Sequence, residues 1–137
     1  IFAIEPNLGA RNSLIENQIA HAAWASFPEA NANPEKPIRA DLVFTFGCLI
    51  HVPPAGLPEI MRNIYNSSNR YILSAEYFAP DEEMITYRGQ VDALWRRDYG
   101  SLWIDSYPLK LVSYGFYWKP ITDLDNVTWW LFRKNYG

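Results

Sequence analysis

The run Asp41-Leu-Val-Phe-Thr-Phe-Gly constrains this chain more than any other segment. Its β-branched and aromatic residues, entered from a polar side chain and left through glycine, read as a strand. The apolarity is continuous rather than alternating, which predicts burial on both faces, as in a parallel sheet. Pro53-Pro54 then breaks the backbone, and residues 57–65 place Leu57, Ile60, Met61 and Ile64 at helical spacing. After the turn-forming residues 66–69, Arg70-Tyr-Ile-Leu-Ser-Ala-Glu-Tyr-Phe supplies a second apolar strand. Strand, helix and strand within about 35 residues make a βαβ unit.

The opening run Ile1-Phe-Ala-Ile-Glu-Pro-Asn reads as a short buried strand with Glu5 at its carboxyl end. Asn7 is positioned to cap a following helix whose core face is Ile15, Ile19, Ala22 and Ala23. In open α/β sheets, ligands sit outside the carboxyl ends of the strands, and an acid after the second strand bonds the ribose hydroxyls of a nucleoside. The glycine-rich strand-turn-helix that normally precedes such an acid has no counterpart, because the chain contains no G-x-G-x-x-G. Residues 1–137 are therefore expected to be a single, amino-terminally truncated domain. Residues 27–37 carry no periodicity and read as a loop, with no convincing third strand nearby. After Pro80, Asp81-Glu82-Glu83 reads as a solvated turn and 93–105 as a helix. Residues 109–117 and 127–134 read as two strands joined by a turn-rich connection. The expected fold class is α/β: Rossmann-like and doubly wound, with a mostly parallel sheet and an antiparallel C-terminal strand pair, lacking the first strand-loop-helix unit.

Composition narrows the partners. A chain that is 49% hydrophobic and 20% charged over 137 residues can bury a globular core. Six Trp and nine Tyr are too many rings to be fully buried together, which favours a pocket or a subunit interface, as in a homodimer. A net charge of −3, with Arg96-Arg97 and Arg133-Lys134 the only adjacent basic pairs, argues against nucleic acid as a partner. One cysteine excludes an internal disulfide, two histidines add no metal constellation, and a reducing, cytoplasmic setting is the simplest reading. No apolar stretch approaches the roughly 18 residues of a membrane span, and no signal peptide is recognisable.

Taken together, Asp41-Leu-Val-Phe-Thr-Phe-Gly-Cys-Leu-Ile-His-Val-Pro-Pro, Asn69-Arg-Tyr-Ile-Leu-Ser-Ala-Glu-Tyr-Phe, Tyr87-Arg-Gly and Arg97-Asp-Tyr resemble class I S-adenosylmethionine-dependent methyltransferases. Within that superfamily the chain is most similar to the small methylases associated with pseudaminic acid biosynthesis. The resemblance runs from Ile1 to about Lys134 and is weakest over 20–39. It implies S-adenosylmethionine as cofactor and a small polar acceptor, a sugar or sugar-nucleotide. It also implies that Glu5, with Pro6 and Asn7, holds the cofactor ribose, and that Phe46, Gly47 and Cys48 line the cofactor cleft. Ile50-His51-Val52 matches the family's Leu/Ile-His-Val/Ile element, and Glu76, Tyr87 and Arg88 fall on the substrate side. His51 and Tyr77 are the candidate catalytic residues.

Each assignment has a plainer alternative. Glu5 suits ribose because a carboxylate accepts from two neighbouring hydroxyls, yet a surface acid also favours the start of a helix. His51 is suited to general base chemistry, or to anchoring the Pro53-Pro54 turn through a backbone bond. Tyr77 either acts on substrate or packs its ring with the hydroxyl in water. Arg88 either clamps an anionic group or pairs with Asp81, Glu82 or Glu83. Cys48 after an apolar strand reads as a small buried hydrophobe. For the whole chain the competing readings are a non-catalytic remnant of the fold acting through self-association, and a nicotinamide-dependent oxidoreductase.

Overall fold

Two strands and two helices form the amino-terminal part of the protein: β1 (Phe2–Ile4), α1 (Leu8–Glu16), β2 (Ala22–Trp24) and α2 (Phe27–Ala30). The computed structural model describes residues 1–135, and these divide into one unit of residues 1–39 and a second from Ala40 onward. In the first unit β1 and β2 pair in parallel, with Ile4 opposite Trp24. Asn7 caps α1 as expected, its Oδ1 accepting from the Ala10 amide at 3.0 Å. The helix is shorter than its periodicity suggested. Asn17 folds its side chain back to the Ser13 carbonyl, and Gln18 adopts φ +56°, which ends the helix. Ile19 therefore lies beyond α1, Ala22 and Ala23 belong to β2, and Ile15 is exposed. The strand expected to be buried is not, since β1 has a single neighbour and Phe2 stands half exposed. Within the stretch read as a loop, Ser26 caps α2 by accepting from the Glu29 amide, while Glu29 accepts from the Ala25 amide. This is close to a capping box, with Pro28 in the first turn.

The second unit is built on the expected βαβ element. β3 (Ala40–Phe46) and β4 (Ser68–Glu76) run parallel, joined by a 3-10 turn (Leu49–His51) and α3 (Leu57–Ser67). β5 (Glu83–Tyr87) and β6 (Gln90–Arg96) form a hairpin, followed by α4 (Tyr99–Ser106), β7 (Leu109–Tyr117), α5 (Lys119–Thr122) and β8 (Val127–Lys134). The sheet order is β3-β4-β8-β7, with β8 antiparallel to both neighbours. The closing antiparallel pair is as anticipated. The sheet as a whole is mixed rather than mostly parallel, because the short 118–126 connection returns β8 directly against β7, so that it runs opposite to β4.

The helix expected over 93–105 starts only at Tyr99, where Asp98 Oδ1 accepts from the Ser101 amide. The residues before it form β6, because Arg88 (φ +51°) and Gly89 (φ +77°) take the two positive φ angles of a tight hairpin turn. Leu57, Met61 and Ile64 of α3 and Trp103 of α4 join Ile72, Trp130 and Phe132 in the core. On the opposite sheet face Leu42, Phe44 and Phe46 are between 45% and 59% exposed, so β3 is buried on one face only. β3 is an edge strand, and continuous apolarity alone does not reveal that position.

Gly100, in the first turn of α4, lies so close to the Trp130 indole that a Cβ there would overlap its Nε1. Gly100→Ala is expected to destabilise the protein by about 1–3 kcal/mol through displacement of the ring. Urea unfolding checks this, with the midpoint falling and the slope unchanged.

Candidate functional site

The carboxyl ends of β3 and β4 meet a turn that hangs from one carboxylate. Gly47 leaves β3 at φ +58°, and its amide donates to the Ala75 carbonyl at 2.8 Å. The chain then turns back over the end of β4, where Glu76 is fully buried. Glu76 Oε2 accepts from the Ile50 amide at 3.3 Å, and the amides of Cys48 and Leu49 also favour its charged form. Burial is the larger influence and pushes the Glu76 carboxyl up to about 7. Thr45 also favours the charged form, but neither Thr45 Oγ1 nor Glu76 Oε1 has a hydrogen bond of good geometry among the described residues. Glu76, expected on the substrate side, thus sits behind the turn with no exposed surface.

The turn presents His51. Its Nδ1 lies 2.7 Å from the carbonyl oxygen of Ala93 on β6, a residue 42 positions away. A carbonyl only accepts, so Nδ1 carries the proton in this bond and the neutral ring keeps its lone pair on Nε2. Tyr87 of β5 packs against the ring with centroids 5.6 Å apart. The backbone bond anticipated as the plainer role of His51 exists, but it reaches the hairpin rather than the proline turn.

Tyr77 follows β4, and its hydroxyl donates to Asp125 Oδ2 at 2.8 Å, while Lys119 Nζ donates to Asp125 Oδ1 at 2.9 Å. Burial first, and then the Asp125 carboxylate, push the Tyr77 hydroxyl up to about 12. The hydrogen bonds from Lys119 and Tyr77 hold the Asp125 carboxyl below its ordinary value. Tyr77 therefore acts as a neutral hydroxyl at physiological pH, suited to orienting a ligand rather than removing a proton.

A cavity of about 370 Å³ opens at this end of the sheet, lined by Phe46, Gly47, Ile50, His51, Tyr77, Asp123, Leu124, Asp125 and Val127. It joins four of the anticipated residues: Phe46, Gly47, His51 and Tyr77. Tyr87 stands behind His51, and Arg88 lies over the Tyr87 ring at the hairpin tip, 5.2 Å from its centroid. Glu82 pairs with Arg97 and Glu83 with Arg96, so the arginine partners of this acidic turn are not Arg88. Cys48 is exposed rather than a buried hydrophobe, since Leu49 and Ile50 take the interior positions of the turn. A larger cavity of about 440 Å³, lined by Pro54, Leu57, Met61, Leu102 and Tyr107 among others, holds no histidine.

In the first unit, Glu5 lies just past the carboxyl end of β1. Its Oε1 accepts from the Asn7 amide at 2.8 Å, and its main-chain oxygen accepts from Arg11 Nη1 at 2.7 Å. Among the described residues Oε2 has no partner, so the carboxylate is oriented and keeps one oxygen available. Pro6 bends the chain between strand and cap, and its carbonyl accepts from the same Arg11 group at 3.2 Å. Sequence reasoning missed Asp123, Asp125, Ala93 and Arg97. The first two lie in a turn-rich connection with no local signature, and the last two act through contacts distant in sequence.

A carboxyl raised from 4.5 to about 7 binds its proton more tightly in the folded chain than in the unfolded one. Its contribution to stability is fully present below pH 4.5 and is lost as pH rises through 7, by about 3 kcal/mol. Glu76→Gln is expected to remove that slope, which urea unfolding at pH 5 and pH 8 measures against the parent chain.

No family model matches the chain, and no curated protein sequence does. Solved structures do. The chain is similar to 1,6-didemethyltoxoflavin-N1-methyltransferase of Burkholderia thailandensis, solved with 1,6-didemethyltoxoflavin and S-adenosylhomocysteine, with a TM-score of 0.62 at 13% identity over 98% of this chain and 70% of that one. It is also similar to magnesium protoporphyrin IX methyltransferase of Synechocystis PCC 6803 with bound SAM, with a TM-score of 0.57 at 12% identity over 93% of this chain. TehB of Haemophilus influenzae matches with a TM-score of 0.61 at 13% identity over 98% of this chain. The chain spans about half the length of the last two, 54% and 49%. At these identities the likeness is one of architecture: the protein carries the α/β fold of the class I methyltransferases, with a mixed sheet.

Proposed function

We propose that the protein takes part in S-adenosylmethionine-dependent methyl transfer to a small polar acceptor, in a reducing, cytoplasmic setting. The observation that carries this reading is His51, held with its proton on Nδ1 in a cavity at the carboxyl ends of parallel strands. The neighbours solved with SAM or S-adenosylhomocysteine support the choice of cofactor. The residues present suit that group. Glu5, oriented by the Asn7 amide and keeping Oε2 available, would accept from the ribose hydroxyls. Phe46, with the positive-φ backbone of Gly47 and the adjacent Cys48, would form a wall of the cofactor cleft. When bound, S-adenosylmethionine supplies an electrophilic methyl group on a sulfonium.

The chain's own part is alignment and proton removal. An acceptor O–H or N–H in the cavity would give its proton to His51 Nε2, leaving the acceptor atom an electron pair for the methyl group that the bound cofactor would supply as its bond to sulfur breaks and the electron pair of that bond stays on sulfur. The imidazolium so formed keeps its Nδ1–H on the Ala93 carbonyl. Tyr77, fixed by Asp125, orients the acceptor through its neutral hydroxyl. Tyr87 and Arg88 on the hairpin complete the substrate side, and the resemblance to pseudaminic acid-associated methylases favours a sugar or sugar-nucleotide as acceptor.

A second reading, a non-catalytic remnant that self-associates, is favoured by one observation. The free edge of β3 and the exposed Leu42, Phe44 and Phe46 together offer an apolar surface to a second copy of the chain.

Titration with S-adenosylhomocysteine separates the two. A saturable thermal shift, reaching about 2.7 kcal/mol of stabilisation at 100 times the Kd, supports the methyltransferase reading. A concentration-dependent dimer with no shift at millimolar ligand supports the remnant. For the enzyme, Glu5→Ala is expected to weaken S-adenosylhomocysteine binding by at least about tenfold, the loss of roughly one charged hydrogen bond, while leaving the fold intact. His51→Gln is expected to lower kcat by about 10²–10⁴ and leave that affinity unchanged.

A further inference from the structure

We infer that Arg97 is the positioning residue that holds both candidate catalytic side chains, His51 and Tyr77, in register with the β5–β6 hairpin. The proposal rests on the reading of His51 as proton acceptor and names what sets its geometry. Arg97 is almost fully buried, which for a guanidinium requires that its donors be engaged. Three of them point to three different segments. Nε donates to Glu82 Oε2 at 2.5 Å, across the base of the hairpin, since Glu82 precedes β5 and Arg97 follows β6. Nη2 donates to the carbonyl of Val52 at 3.1 Å, the residue next to His51. Nη1 donates to the Tyr99 hydroxyl at 3.1 Å, and that hydroxyl donates to the carbonyl of Trp95.

The backbone of Arg97 adds the fourth direction. Its amide donates to the Tyr77 carbonyl and its carbonyl accepts from the Ala79 amide, both at 3.3 Å. One residue thus ties the turn bearing His51, the segment bearing Tyr77 and both stems of the hairpin. The hairpin in turn brings the Ala93 carbonyl to His51 Nδ1. Without the clamp, the alignment of Ala93 with His51 would rest on their own hydrogen bond and on the packing of the Tyr87 ring, which leaves the ring nitrogens unselected if the hairpin shifts. A lysine at 97 cannot substitute, because a single ammonium lacks the planar fork that reaches Glu82, Val52 and Tyr99 at once.

The test is made on the chain with no cofactor or acceptor, so its outcome is independent of whether methyl transfer occurs. Nitrogen-15 NMR of the imidazole at pH 8 reads the His51 tautomer directly. The parent chain is expected to show the Nδ1–H form. Arg97→Lys, and Glu82→Gln, whose side chain is half exposed and whose fold is therefore safe, are expected to raise the Nε2–H population about fivefold, the equivalent of weakening one hydrogen bond by about 1 kcal/mol. The same variants should speed hydrogen exchange at the Arg97 and Ala79 amides. A folded Arg97→Lys chain with the parent tautomer would overturn the proposal. If Arg97→Lys does not fold, an unchanged tautomer in Glu82→Gln overturns it instead.

Discussion

A buried carboxylate that forms no ion pair among the described residues holds the end of the sheet where the candidate chemistry lies. Removing an ionised carboxyl from water costs several kcal/mol, and the usual compensation is a lysine or arginine. Glu76 has instead the amides of a turn, which offset part of the cost and leave its carboxyl at about 7. An apolar residue of similar volume would relieve the desolvation, but the turn from Gly47 to Val52 would lose its common acceptor. That turn sets the position of Gly47 at the cavity wall and of His51 at its mouth. The group is costly for stability and useful for placement, a combination expected where structure serves a site.

The βαβ unit was legible because its signals are local. The boundaries of β7 and β8 match the sequence reading to the residue, and β3 and α3 to within a residue or two, since apolar runs flanked by Pro, Gly and Asn leave few alternatives. The misreadings share a cause of the opposite kind. Ala93, Leu94 and Trp95 suit a helix as well as a strand, yet the turn at Arg88 and Gly89 pairs residues 94–96 with residues 83–85. Arginine is an uncommon occupant of a positive φ, so the hairpin gave little warning. β1 and β3 look like interior strands by composition, but their exposure depends on what lies beside them, which no local window contains.

The same distinction runs through the site. His51 and Tyr77 were identifiable as polar residues at strand ends, which is where this architecture presents its functional groups. What makes each usable was not. The tautomer of His51 depends on Ala93, and the acidity of Tyr77 on burial and then on Asp125, partners 42 and 48 residues away. Arg97 was visible in the sequence as half of a basic pair and as the start of the Arg97-Asp-Tyr motif, with no sign of its partners. Its neighbour Arg96 is exposed and its own side chain is buried, so the two adjacent arginines serve unrelated ends.

The position of β8 has a consequence for how the protein comes to be made. β7 emerges first, but its only partner in the sheet is β8, and β8 is also the only link between β7 and β4. During synthesis β7 must wait as an unpaired strand, with its backbone donors and acceptors in water, until the segment from Val127 to Lys134 has left the ribosome. The sheet cannot grow outward from its βαβ nucleus one strand at a time; its last two strands dock together. The nascent chain therefore passes through a state with two open edges, β4 and β7, and that state is where chaperones or like chains would meet it.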